Sequence, residues 1–149
     1  MDQTATDDAL ITTFGRLIEA QSRLGKLLGR ALEQEADVPH TWFEVLLRVS
    51  RADGGRLSMG VLADEVALTS GGVTRLVDRM IEGGLLTRVP CPTDRRVYFA
   101  ALTRSGRDTL ARATAVHARN LRQVFAGFSA QDLRRLDDLL DRLRDADLA

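Results

Sequence analysis

The residues of this chain that can do chemistry are arginines, and they cluster. Between Thr69 and Arg107 stand seven arginines (Arg75, Arg79, Arg88, Arg95, Arg96, Arg104, Arg107) against three acids, Asp78, Glu82 and Asp94, a net +4. Residues 1–37 carry −3 and residues 129–149 carry −2, so a chain of zero net charge is basic in its middle and acidic at both ends. Of the 21 basic residues only Lys26 is a lysine. A guanidinium keeps its charge at any cellular pH and offers two parallel N–H donors to a phosphate or a guanine edge. A basic segment of this kind is the electrostatic footprint of a surface that meets a polyanion.

Other chemistries find little support. The single cysteine, Cys91, excludes an intrachain disulfide framework and a cysteine-rich zinc site. Cys91 adjoins a basic loop that favours its thiolate, so a redox-responsive role is one reading; a small residue at the base of that loop is the favoured one. His40 and His117 are too far apart in sequence to read as a metal site, with His40 exposed or capping and His117 on a polar or interface surface. Cys91 with either histidine is the one nucleophile–base pairing on offer, and no carboxylate pair or glycine motif joins it, so no enzyme is expected. Gly71-Gly72 is not followed by the Gly-Lys-Ser/Thr of a phosphate loop. No cofactor or metal is expected. No apolar run approaches a membrane span, and the N-terminus, MDQTATDDALITTF, is acidic where a signal peptide is basic. A cytoplasmic location follows as the expectation.

These residues need a scaffold, and 149 residues with 44% hydrophobic and 28% charged side chains fit one compact domain. Leu10, Phe14, Leu17, Ile18, Leu24, Leu28 and Leu32 recur at helical steps and predict a long amphipathic helix over 8–34. A second helix follows over about 39–50, where Thr41 and Glu44 have capping-box spacing and Pro39 is an alternative first helical residue. Arg56-Leu-Ser is a strand stub, and Ser58 caps a short third helix over 59–66. The fourth helix, 70–82, is capped by Thr69 or Ser70 and ended by Gly83-Gly84. Two strands, 85–89 and 97–102, flank a stiff basic tip, Pro90-Cys-Pro-Thr-Asp-Arg-Arg. Thr103 opens a fifth helix to about residue 127, and Ser129-Ala-Gln-Asp132 opens a sixth.

Helix, short turn, helix, then a two-stranded ribbon is the order of a winged helix-turn-helix: mainly α, six helices, with a small β-hairpin wing at 85–102. A major groove about 12 Å wide admits one helix, whose leading residues reach base edges. That helix is 70–82. Its candidate DNA-binding residues are Thr69, Ser70, Gly71, Gly72, Thr74, Arg75 and Arg79, with Arg75 the candidate for a bidentate guanine contact. Arg95 and Arg96 on the wing tip suit the narrow minor groove. Asp94 reads as structural, an anion that orients one arginine and leaves the other for DNA.

The segment from Arg56 to Leu110 resembles the MarR (multiple antibiotic resistance regulator) family. The residues that carry the resemblance are Leu62-Ala63-Asp64, Val73-Thr74-Arg75-Leu76-Val77-Asp78-Arg79-Met80, Gly84-Leu85-Leu86, Asp94-Arg95-Arg96, and Leu102-Thr103 followed by Gly106. The resemblance implies a triangular homodimer, with residues 1–37 and 104–149 forming the dimerisation region around a DNA-binding region at 38–103. It implies a pseudo-palindromic operator, most often repressed. It also implies release by a small aromatic or anionic effector held between the two regions. His40, Trp42 and Phe43 are candidates for lining that pocket, though Trp42 and Phe43, aromatic residues at helical spacing, fit the core better. The dimer has a separate argument, because the terminal helices present more apolar stripe than a lone domain needs to cover. A winged helix that binds only protein is the rival reading, and the +4 segment weighs against it.

Overall fold

The structure, a computed structural model, describes residues 8–66 and 70–147. It contains α1 (Ala9–Ala36), α2 (His40–Arg51), a one-turn 3-10 helix (Asp53–Gly55), β1 (Arg56–Ser58), α3 (Met59–Glu65), α4 (Ser70–Glu82), β2 (Leu86–Pro90), β3 (Tyr98–Leu102), α5 (Arg104–Val124) and α6 (Ala130–Arg144). The strands form one antiparallel sheet in the order β1-β3-β2. β2 and β3 are the hairpin, and β1 is the added edge.

Short polar side chains open most helices by accepting amides that have no partner within the helix. Asp8 accepts from Leu10 at 2.7 Å, Ser58 from Val61, and Thr103 from Gly106. Ser129 and Asp132 form the reciprocal box that their spacing predicts. α2 is different. Its Thr41–Glu44 box does not form, and Pro39 is the cap residue rather than the first helical one, extended at φ −58 and ψ 142 with no side-chain cap. Thr41 lies inside the helix, and the Glu44 carboxylate is taken by His40 Nε2 at 3.3 Å.

The main core joins α2, α3 and α4 to the sheet through Val45, Leu46, Val49, Leu62, Val73, Val77, Met80, Leu86 and Ala100. Each large side chain fully buried there contributes about 1.5–3 kcal/mol. A second cluster of Leu32, Val38, Phe43 and Ala113 fastens α1 to α2 and α5, with Trp42 and Leu110 bridging the two. Glu35 of α1 also pairs with Arg119 of α5 and accepts from Asn120 at 3.3 Å.

The exit from α4 is built from backbone. Gly84 adopts φ 75, a left-handed conformation in which a side chain is strained. The Leu85 amide then returns to Met80 O and the Gly84 amide to Ile81 O, both at 2.9 Å, a Schellman closure. Leu85, expected to start the strand, therefore belongs to the turn that closes the helix, and β2 begins one residue later. α5 docks onto this exit. Thr103 donates its hydroxyl to Gly84 O at 2.6 Å and its amide to Leu85 O at 3.1 Å, while the same hydroxyl caps Gly106.

α6 stands apart. It buries no residue against the rest of the chain. Leu133, Leu139, Leu140 and Leu143 are exposed, as are Leu10, Ile11, Phe14 and Ile18 on the N-terminal half of α1.

Candidate nucleic-acid interface

α4 divides into two faces. Val73, Leu76, Val77 and Met80 point into the core. Gly71, Thr74, Arg75 and Arg79 are exposed, and Gly72 is half-buried. Ser70 is the first helical residue, and Thr69 lies outside the described residues. Two arginines one turn apart are thus held on the solvent side of a helix whose other side is locked. The small residues in its first turn leave room for a ligand backbone to approach.

The wing tip is folded by its own hydrogen bonds. The Cys91 amide donates to Val97 O at 3.0 Å, and the Val97 amide donates to Asp94 O at 3.1 Å. Asp94 Oδ1 accepts the Arg96 amide at 2.9 Å and its Nε at 3.4 Å. The Arg96 side chain is nonetheless 91% exposed. Arg95 is exposed and has no carboxylate within ion-pair distance among the described residues. At the far edge of the sheet, the Arg56 guanidinium lies 5.0 Å from the Phe99 ring centroid.

One contact was not visible in the sequence. Asp78 on the outward side of α4 pairs with Arg88 on β2. Side chains two apart share a strand face. Arg88 therefore follows the buried Leu86 on the inner face of β2, opposite the buried Ala100. Alternation along β2 marks that position, but nothing in the sequence names Asp78 as the partner.

The two histidines require a correction. They were expected to lie apart, with His40 exposed or capping, but the fold brings α2 against α5. Their rings sit 6.5 Å apart, both half-buried, and the His117 ring packs against Phe43 with centroids 4.9 Å apart, tilted by 48°. Burial, and then the neighbouring His40, hold His117 below the usual imidazole value. The Nδ1 atoms of both rings are buried without a hydrogen-bond partner. Among the described residues, no group of three or more metal-ligating side chains exists.

The candidate effector residues divide. Phe43 is buried in the second core cluster, and Trp42 is packed between the clusters. Neither faces the cleft of about 400 Å³ between α1 and α5, which is lined by Leu27, Leu28, Ala31, Asn120, Gln123 and Val124. Cys91 is half-buried, with its Sγ 3.3 Å from the Thr93 hydroxyl. That hydrogen bond, then those from the Thr93 and Asp94 amides, hold its thiol below the ordinary value.

Comparison with known proteins places this geometry. The MarR family model matches residues 36–97, from the end of α1 to the wing tip. The transcriptional regulator YdgJ of Bacillus subtilis is 27% identical over 121 residues, which are 81% of this chain and 73% of that protein. The regulator MhqR of the same organism is 32% identical over 82 residues, 55% of this chain and 57% of that protein. The crystal structure of Sco3205, a MarR family transcriptional regulator from Streptomyces coelicolor in complex with DNA, superposes with a TM-score of 0.79 at 28% identity. That superposition covers 90% of this chain and 88% of the other. No helix among the described residues is long and apolar enough to cross a membrane. The MarR family match thus covers residues 36–97, and the fold around it, six helices and a small β wing, is that of MarR family transcriptional regulator structures.

Proposed function

We propose that the protein is a sequence-specific DNA-binding repressor that grips a pseudo-palindromic operator as a homodimer. The observation that carries this reading is the exposed, arginine-bearing face of α4 beside a basic β-ribbon tied to it by Asp78 and Arg88. In this reading Arg75 and Arg79 read base edges from the major groove, with Thr69, Ser70, Gly71, Gly72 and Thr74 near the phosphates. Arg95 and Arg96 enter the adjacent minor groove. Asp94 holds the tip in shape for them. Residues 38–103 are the DNA-binding region, and the helices of 1–37 and 104–149 supply the partner contact. The uncovered leucines of α6 and the apolar start of α1 support that contact, because such a stripe is stable when a two-fold copy buries it. Two copies of α4 then meet successive major grooves about 34–36 Å apart. A small aromatic or anionic effector that alters this spacing would release the operator. The protein acts in the cytoplasm, where its DNA is, and does not act as an enzyme.

The test is a pair of substitutions measured against duplexes selected from the source genome and against a random duplex over a salt series. Arg75→Ala weakens binding to the selected duplex by about tenfold and relaxes its preference at one position, the loss of one guanine contact. Arg96→Ala weakens both duplexes alike and lowers the salt slope by about one. Wild-type affinity and slope in both variants overturn the reading.

A further inference from the structure

We infer that Tyr98 is a further DNA-contacting residue, whose hydroxyl donates a hydrogen bond to a phosphate of the strand lying between α4 and the wing tip. The inference rests on the DNA-binding reading above and adds to it a contact made by an uncharged side chain.

Tyr98 is the chain's single tyrosine and opens β3 at its tip end. By strand alternation it shares a face with the buried Ala100 and, in register across the ribbon, with Leu86, Arg88 and Pro90. That face is the one turned toward α4. Leu86 and Ala100 pack in the core with Val73 and Met80 of α4, and Arg88 reaches Asp78 on the same helix. Tyr98 is the next position outward, about 7 Å beyond Ala100 along the strand. There the core has ended, and Tyr98 is 45% exposed. Its hydroxyl has no hydrogen-bond partner among the described residues.

The fold gains little from a phenol at this place. Its cross-strand neighbour is Pro90, whose ring offers neither donor nor acceptor. A tyrosine with an apolar body against the ribbon and an unengaged polar end is built to meet a partner outside the chain. In the proposed complex α4 enters the major groove, and Arg95 and Arg96 enter the adjacent minor groove. One sugar–phosphate strand separates the two grooves, so it passes between the helix and the tip. Tyr98 lies on the α4 side of the ribbon and short of the tip, so it meets that strand rather than base edges. Arg88, the cation on the same face, is already engaged by Asp78, which leaves the phenol as the donor. A phenolic O–H can hold a phosphate oxygen without displacing a cation from the DNA.

The experiment compares wild type, Tyr98→Phe and Tyr98→Ala, with Arg75→Ala as reference. Each is titrated with duplexes selected from a random pool and with a random duplex, over a salt series. Tyr98→Phe is expected to melt like wild type and to bind both duplexes about tenfold more weakly, the loss of one hydrogen bond to a charged group, with the salt slope unchanged. Tyr98→Ala is expected to bind no more tightly than Tyr98→Phe. Because the chain has one tyrosine, meta-fluorotyrosine labels this position alone, and its fluorine resonance is expected to shift when either duplex is added. A neutral methylphosphonate placed singly along each strand is expected to weaken wild type at one phosphate whose replacement no longer matters to Tyr98→Phe.

Wild-type affinity in Tyr98→Phe, with Arg75→Ala weakened, overturns the inference and leaves the DNA-binding reading standing. A loss confined to the selected duplex also overturns it, since the hydroxyl then reads a base. A lowered melting temperature in Tyr98→Phe overturns it too, because the hydroxyl then serves the fold, as does a fluorine resonance that DNA leaves unmoved. A wild-type protein that binds no duplex sinks the DNA-binding reading, and this contact with it.

Discussion

Gly106 and Leu85 meet backbone to backbone: a Cβ on Gly106 would lie 2.0 Å from the Leu85 carbonyl oxygen and 3.0 Å from its carbon. The first turn of α5 is thereby seated on the exit of α4, with Thr103 bonded to the same two residues, Gly84 and Leu85. Only glycine permits that approach.

Gly106→Ala is therefore expected to lose about 3 kcal/mol of stability, because the obstacle is a carbonyl and not a flexible side chain. Gly60→Ala is the control. Gly60 lies in α3 with nothing within 4 Å of an added Cβ, so the same change there gains about 0.5–1 kcal/mol from helix propensity. Urea unfolding of the two variants checks both signs.

That contact shows where sequence reasoning reached and where it stopped. The bounds of α4 were legible, because Val73, Leu76, Val77 and Met80 repeat at helical spacing and Gly83-Gly84 ends the pattern. Leu102-Thr103 with Gly106 was visible as a motif, but its physical content is a contact with Leu85, distant in sequence, which spacing alone does not reveal. The failure at Leu85 is local. Two apolar residues in a row read as strand, and the left-handed Gly84 draws the first of them into the turn that closes the helix. His40 with His117, and Asp78 with Arg88, are pairings made by tertiary packing between elements that each look complete alone. The candidate DNA residues of α4 are legible because they form its outward side, which helical period alone defines.

The uncovered leucines of α6 give a second prediction. Leu140→Asp combined with Leu143→Asp is expected to raise the dimer dissociation constant at least about 100-fold, from the apolar burial lost on each protomer. Sedimentation velocity reads the change as a shift to monomer. Near-native secondary structure and core packing should remain, because α6 buries nothing within its own chain. A variant that sediments like wild type at low micromolar concentration refutes the proposed interface.

Acid should loosen the junction of α1, α2 and α5. Burial first, and repulsion from His40 second, depress His117 below the usual 6.5. The unfolded chain then binds more protons than the native one in the window below 6.5, so stability is present above that value and is lost as the pH falls through the folded value. His117→Phe keeps an aromatic ring against Phe43 and removes the titration. Its melting temperature should fall less steeply than wild type between about pH 7.5 and 5, the span over which an imidazole titrates. Identical slopes would show that His117 does not titrate differently on folding.

Cys91 offers a readout of wing geometry. Its thiol is held below the ordinary 9.0 chiefly by the Thr93 hydroxyl. Alkylation by iodoacetamide follows the thiolate, so its pH–rate midpoint should move upward in Thr93→Val. The two backbone amides that also favour the thiolate remain, so the shift should be partial. Equal midpoints in the two proteins would mean that the hydroxyl does not reach the sulfur in solution.

Every base from Ser70 to Leu102 is an arginine, and the chain's one lysine lies far away on α1. An acetyltransferase acting on lysine amines finds no substrate on this face, and ordinary swings in cellular acidity leave its charge untouched. The positive charge of these arginines is thus fixed. In the proposed dimer, what remains adjustable is posture: how far apart the arginine-bearing arms are carried, and at what tilt.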